Sequence, residues 1–200
     1  MLTAIPRDET RPVRARLMDI ALRCFAEQGY HAVGLRQLAS ELGLRAGSLY
    51  AHIDSKESLL RDLIEDGYDQ LIESARQVLY AKPRPAKPLR ALIRHHLDYQ
   101  TEHAAWYFLA TIEARHLPRE QCNEIIELQR QYAALLQEAL PANPAHPNPK
   151  GMTEHMIGLL NGTPQLKPRW QEVRRLDGWE VDLEQLILRQ WLRPSQSANA

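Results

Sequence analysis

The stretch LMDIALRCFAEQGYHAVGLRQLASELGLRAGSLYAHIDSKESLL, residues 17–60, decides how the chain reads. Three short apolar periodicities follow one another in it, each closed by a glycine or a turn. Val13, Leu17, Ile20, Ala21, Cys24 and Phe25 form an i, i+4, i+7, i+8 stripe, which predicts a helix from about Pro12 to Gln28. Gly29 suits the left-handed position just past its end. Leu35, Leu38, Ala39 and Leu42 make a second stripe, about two turns long and ending at Gly43. Ala46, Leu49, Tyr50 and Ile53 make a third. Two short helices joined by a tight glycine-containing turn form a helix-turn-helix, whose second helix suits a DNA major groove. With the apolar positions turned inward, Arg45, Gly47, Ser48, Ala51 and His52 face out. Small residues at the start of that helix let the backbone approach bases or phosphates.

At these residues the sequence resembles the TetR family of transcriptional regulators. The pieces that carry the resemblance are Phe25-Ala-Glu-Gln-Gly29-Tyr30, Leu38-Ala39, Gly43-Leu44, Gly47-Ser-Leu-Tyr50-Ala-His52-Ile53 and Ser55-Lys56-Glu57-Ser-Leu59-Leu60. They keep one register over about 45 residues, far more than a lone helix-turn-helix pattern would. The departures are Val33 and Gly34 where the family has Ser or Thr, Ile53 for Phe, and Ala51 for a frequent aromatic. Glycine caps a helix a few tenths of a kcal/mol less well than Ser or Asn. The resemblance implies that Tyr50, His52 and Lys56 touch phosphates and that Arg36 reaches a base, guanine being the natural partner of an arginine fork. The expected DNA-binding set is therefore Arg36, Arg45, Ala46, Gly47, Ser48, Tyr50, Ala51, His52 and Lys56. The plainer alternatives are core packing for Tyr50 and an ordinary surface histidine for His52.

Composition bounds the rest. The 200 residues suffice for one large domain or two small ones. Apolar residues make up 44%, enough for a core, and Lys plus Arg equals Asp plus Glu at 25 each. Residues 1–60 hold 8 basic and 7 acidic groups, so DNA affinity must come from where charges sit and from doubling by a second subunit. Arg7, Arg11, Arg14 and Arg16 lie in or just after a non-periodic arm; they read either as a solvated basic tail or as contacts to phosphate or minor groove. Cys24 and Cys122 lie far apart on helical patterns and suggest no disulfide or zinc site. No apolar run approaches 18 residues and no signal-peptide core opens the chain, so a cytoplasmic protein is expected, without membrane contact.

Further along, Asp54-x-x-Glu57 and Ser55-x-x-Ser58 offer caps for a helix over about Lys56 to Tyr80, with Gly67 inside it. The family's switching element is a bend in this helix. Pro83, Pro85 and Pro88 mark a loop, and helices follow at 88–104, Ala104–His116 and Pro118–Leu140. After a proline-rich loop at Pro141–Pro149 the pattern predicts a helix from near Thr153 that ends at Asn161-Gly-Thr-Pro164, then a last one over about Glu180–Leu192. Residues 164–179 are poorly legible, and a tail occupies 194–200. The fold class is all-α: a three-helix head with the helix-turn-helix at 1–55, and a larger helical body at 56–193, about nine helices in all.

An apolar stripe on every body helix is first of all core. The resemblance adds that the family's body holds a ligand between its middle helices and dimerises through its last two. Glu113-Ala-Arg-His-Leu-Pro, Leu128-Gln-Arg-Gln-Tyr132 and Leu159-Leu-Asn-Gly resemble a branch that answers to acyl-CoA thioesters. Candidate ligand contacts are Tyr99, His103, Trp106, Tyr107, Arg115, His116 and Tyr132, with Arg115 for an anionic end. Candidate dimer contacts are Met156, Ile157, Leu160, Leu183, Ile187 and Trp191. The expectation is a homodimeric repressor that binds a palindromic operator and is released by a small apolar or acyl effector, with no cofactor and no metal. The rival is a helical ligand-binding protein with a degenerate DNA head. A third reading, an enzyme built on His95, His96, Glu102 and His103, lacks a nucleophile, a phosphate loop and metal-ligand spacing.

Overall fold

Apolar periodicity of 3.6 residues runs through almost every segment, and the chain is all-helical where it is described. The computed structural model describes residues 11–143, 148–170 and 179–192. The arm with Arg7, residues 144–147 of the proline-rich loop, residues 171–178 and the tail from 193 lie outside the described residues. Among those described, the helices are α1 Val13–Gln28, α2 Leu35–Leu42, α3 Ala46–Leu49, α4 Lys56–Leu79, α5 Pro88–Glu102, α6 Ala104–Thr111, α7 Arg119–Ala139, α8 Pro149–Trp170 and α9 Trp179–Trp191. A 3-10 turn, Glu113–His116, separates α6 from α7.

The described residues form two compact units. The first holds those up to Asp66 together with Ala105–Asn123; the second holds Gly67–Ala104 and the residues from Glu124 on. In the first unit α1 buries Leu17, Ala21, Cys24 and Phe25, the i, i+4, i+7, i+8 set. It stops at Gly29, whose φ of +86° costs any residue with a Cβ dearly. Its partner α2 packs on both α1 and α3. The end of α2 is a Schellman turn: Gly43 takes φ +74°, its N–H donates to Ser40 O, and Leu44 N–H donates to Ala39 O at 2.8 Å. The start of α4 is a reciprocal cap in which Ser55 N–H donates to Ser58 Oγ and Ser58 N–H to Ser55 Oγ, both at 2.9 Å.

The second unit packs α5 against α8 and α9. Here the sequence expectation needs correction. α8 begins at Pro149, not Thr153, and runs through Asn161–Pro164 to Trp170. Proline at 164 has no N–H, so Leu160 O loses its partner four residues on. Gln100 of α5 donates to that carbonyl at 2.9 Å, and the helix continues. Arg90 of α5 pairs with the buried Glu184 of α9, with Nε donating to Oε2 at 2.7 Å.

Candidate nucleic-acid interface and effector region

The helix-turn-helix divides cleanly into a buried and an exposed side. Leu38, Ala39, Leu42, Leu49 and Ile53 are buried. Arg36, Arg45, Gly47, Ser48, Tyr50 and Ala51 are exposed, while Ala46, His52 and Lys56 are half-buried. Tyr50 is 62% exposed, so it leaves the third stripe and is no core residue. The reason is that α3 proper is a single turn, and the chain goes on in turns in which His52 N–H and Ile53 N–H both donate to Leu49 O.

Internal pairing sorts the head's cations. Arg14, a candidate phosphate contact, donates instead to His52 O at 2.9 Å and to Asp62 Oδ2 at 2.6 Å, tying the end of the α3 turn to α1 and α4. Arg11 pairs with Asp19, and Arg16 reaches Leu42 O. Arg23 pairs with Glu41, whose carboxyl is held below its ordinary range, against the opposing effect of burial, by hydrogen bonds from Cys24 and then Arg23. Cys24 Sγ donates to the same carboxylate, and burial first, then this bond, pushes the thiol up to about 11. Lys56 lies over two aromatic rings. Its ammonium lies 4.2 Å from the Tyr30 ring centroid and 5.7 Å from that of Phe25, an attraction between a cation and an aromatic face. Burial there pushes its pKa down, against the nearby Glu57 and Glu113 carboxylates. Arg36 and Arg45 hold neither an ion pair nor a side-chain hydrogen bond among the described residues.

The seven candidate ligand contacts fall into separate groups. Tyr99, His103 and Tyr132 belong to the second unit, and Trp106, Tyr107, Arg115 and His116 to the first. Tyr99 is buried and donates its hydroxyl proton to Gly67 O of α4 at 3.0 Å, with the His103 ring 4.1 Å away. Trp106 Nε1–H donates to Ile64 O at 3.1 Å, and Tyr107 stands edge-on to it. Arg115 is a correction: it is exposed on the 3-10 turn, and its Nε meets His116 Nε2 at 3.3 Å rather than facing an apolar interior. His116 belongs with Glu113 and His31 of the head. The helical register of α6 ends at Thr111, so Arg115 and His116 on the 3-10 turn do not continue it.

A buried polar cluster was missed as a unit, because Tyr132 on α7 lies far along the chain from His96 and Gln100 on α5. His96 is buried between Tyr132 and Gln100. Gln100 Nε2 lies 2.6 Å from His96 Nε2, and His96 Nδ1 lies 2.8 Å from Tyr132 Oη. A neutral imidazole satisfies both contacts, accepting at Nε2 and donating at Nδ1. Burial pushes its pKa down to about 3. The unfolded chain, with an ordinary imidazole, therefore binds one more proton than the native one below the usual histidine range. Stability is fully present above about pH 6.5 and falls as pH drops below it, by up to about 1.4 kcal/mol per pH unit. Urea melts of wild type and His96→Gln between about pH 7.5 and about pH 5 check this; the variant is expected to lose much of the acid sensitivity. Opposite it, His95 Nε2 meets Ser74 Oγ at 2.9 Å, so neighbouring histidines turn to different helices.

Four of the six candidate dimer contacts already sit in the core of a single chain. Met156, Leu160, Ile187 and Trp191 are buried, and Trp191 Nε1–H donates to Pro141 O at 2.8 Å. Packing of α5 on α8 and α9 claims that face. Ile157 and Leu183 are half-buried. Among the described side chains of α8 and α9, the large apolar ones left outside are Leu159, 42% exposed, and Leu186, 52% exposed. No helix among the described residues is long and apolar enough to cross a membrane.

Comparison with known proteins adds family and fold. A family model described as bacterial regulatory proteins, tetR family, matches residues 17–63, and one described as tetracyclin repressor-like, C-terminal domain, matches 82–165. The HTH-type transcriptional repressor KstR2 of Rhodococcus jostii is 31% identical over 147 residues, 70% of this chain and 71% of that protein. The crystal structure of the transcriptional regulator FadR from Bacillus subtilis in complex with stearoyl-CoA superposes with a TM-score of 0.74, covering 88% of this chain and 98% of that one at 19% identity. AibR in complex with isovaleryl coenzyme A and operator DNA superposes with a TM-score of 0.63 over 90% of this chain and 98% of that one, at 20% identity.

Proposed function

The chain belongs to the tetR family of bacterial regulatory proteins, and from that premise we propose that this transcriptional regulator is a homodimeric repressor released from a palindromic operator by an acyl-CoA thioester. The observation that carries the DNA-binding part is the pairing pattern of the head. Every other described cation from Arg11 to Arg61 is engaged by an acid, a carbonyl or an aromatic face. Arg36 and Arg45 alone among them are exposed and unpaired, at the start of α2 and of α3, near the exposed Tyr50. Arg36 is assigned to a base edge. Arg45, Tyr50 and His52 are assigned to phosphates, and Gly47, Ser48 and Ala51 to close approach. Lys56 is reassigned from phosphate contact to holding Tyr30. The same reading puts the protein in the cytoplasm with its operator.

Two coenzyme A thioesters of very different acyl length are bound by the relatives of this fold named above, which supports the effector class and leaves chain length to this body's own lining. An effector acts only by the difference between its affinities for the two head geometries. The test is fluorescence anisotropy on a labelled operator duplex. Arg36→Ala is expected to lose discrimination at one base pair per half-site, about 10- to 100-fold, while Arg45→Ala weakens all duplexes alike and flattens the salt dependence. A series of acyl-CoAs from short to long is then titrated into the complex. Release by none of them would leave a regulator controlled in another way.

A further inference from the structure

We propose that the 3-10 turn Glu113–His116 is a proton-sensitive latch on the turn between α1 and α2, a control on the head separate from any effector. All its parts lie in the first unit. The chain leaves α1 through Gly29 and at once buries Tyr30. The Tyr30 ring stands edge-on to Phe25 at 5.3 Å and stacks on the His116 imidazole, with centroids 5.6 Å apart and planes 15° off parallel. Its backbone N–H donates to Glu113 Oε1 at 3.4 Å. The other oxygen, Oε2, lies 3.2 Å from His116 Nε2, and the Glu113 side chain is 7% exposed. His116 Nδ1 in turn lies 3.0 Å from Nε2 of His31, 85 residues away in sequence. A buried carboxylate and two imidazoles thus hold the turn that sets α2 on α1.

The proton sensitivity follows from the histidine pair. A nitrogen–nitrogen contact of this length has room for one hydrogen. With one ring donating and the other accepting it is a hydrogen bond, whether neither or one of the rings is charged. With both rings charged, two N–H groups meet head-on and two positive charges add. The opened turn has no such limit. Glu113 beside His116 favours a first charge in the closed turn as well, so it is the second proton that the closed turn refuses, and closure weakens as pH falls to where both imidazoles of the opened turn are charged. The charged groups beside the latch are Glu113 and Arg115, which reach His116, and, from α4, Lys56 near Glu113 and Glu57 near Tyr30. Tyr30 stays un-ionised, since burial and Glu57 push its phenol up to about 12.

Hydrogen exchange of the full-length protein, without DNA, tests the latch at about pH 7.5 and about pH 5.5, with rates corrected for intrinsic chemistry. The peptide spanning 29–34 is expected to open about three- to tenfold more at the lower pH, the factor that one or two hydrogen bonds make, while that of α2 does not change. His31→Gln keeps a donor and an acceptor but cannot charge, so the acid opening should vanish while protection near neutrality stays. His116→Gln makes the same prediction and serves should His31→Gln fold poorly. No acid opening in wild type, or its persistence in the glutamine variants, would overturn the latch. The control role rests on the DNA-binding reading and has its own arm. On a selected operator duplex, wild type should lose about the same three- to tenfold more affinity on acidification than His31→Gln does; equal losses would overturn that role alone. His52, which lies at the DNA face of the proposed reading, is common to both proteins and cancels.

Discussion

If the protein is the homodimer proposed above, changing Leu159 and Leu186 together to glutamate is expected to give monomers and to cost at least about 100-fold in operator affinity, since each head then binds alone. Among the described side chains of α8 and α9, these are the large apolar ones left exposed in a single chain, at 42% and 52%. Buried against a second copy, each contributes about 1.5–3 kcal/mol of apolar transfer. Two glutamates there would place unpaired charge in the interface of both subunits. Because both positions face outward, the monomer should keep its helical content. Sedimentation and circular dichroism separate this outcome from misfolding. A double variant that stays dimeric, or binds operator as tightly as wild type, would move the interface elsewhere. Substitution at Met156 or Leu160, by contrast, should unfold the body rather than divide the dimer, as both are fully buried within one chain.

The second large effect is on the head. Phe25→Ala should destabilise the protein by about 3–5 kcal/mol, the usual cost of emptying an aromatic core position. Phe25 is fully buried at the end of the α1 stripe, with Tyr30 edge-on to its ring and the Lys56 ammonium over it. A loss of that size is a large part of the total stability of a protein this small. Urea melts followed by hydrogen exchange should place the loss in the head, with operator binding gone before body helicity. A change below about 1 kcal/mol would show that the site collapses around the missing ring.

What could be read from the sequence was local. The α1 stripe, the stop at Gly29, the Schellman turn at Gly43 and the Ser55/Ser58 cap each depend on residues within one or two turns of one another. Periodicity reports them directly. What stayed illegible depends on partners far along the chain. The breaker Asn161-Gly-Thr-Pro164 fails to end α8 because Gln100, 60 residues earlier, donates to Leu160 O. Arg14 looks like a free cation until Asp62, 48 residues on, is placed beside it. A helical stripe also says that one side is buried but not against what. Met156 and Ile187 therefore read as dimer contacts when α5 covers their helices within the same chain. Lys56 illustrates what a motif leaves unsaid: the motif is intact, and the neighbouring Tyr30 gives the half-buried ammonium an aromatic face to lie on.

Selection of bound sequences from a pool of random duplexes by the full-length protein tests the central claim most directly. The account predicts enrichment of a two-fold symmetric site, with half-sites centred about one helical turn apart or a multiple of it. Selection by Arg36→Ala should relax one base pair in each half while keeping the spacing. Recovery of a pool no different from the input, with random duplexes bound as tightly as any selected one, would contradict the claim that this head reads DNA.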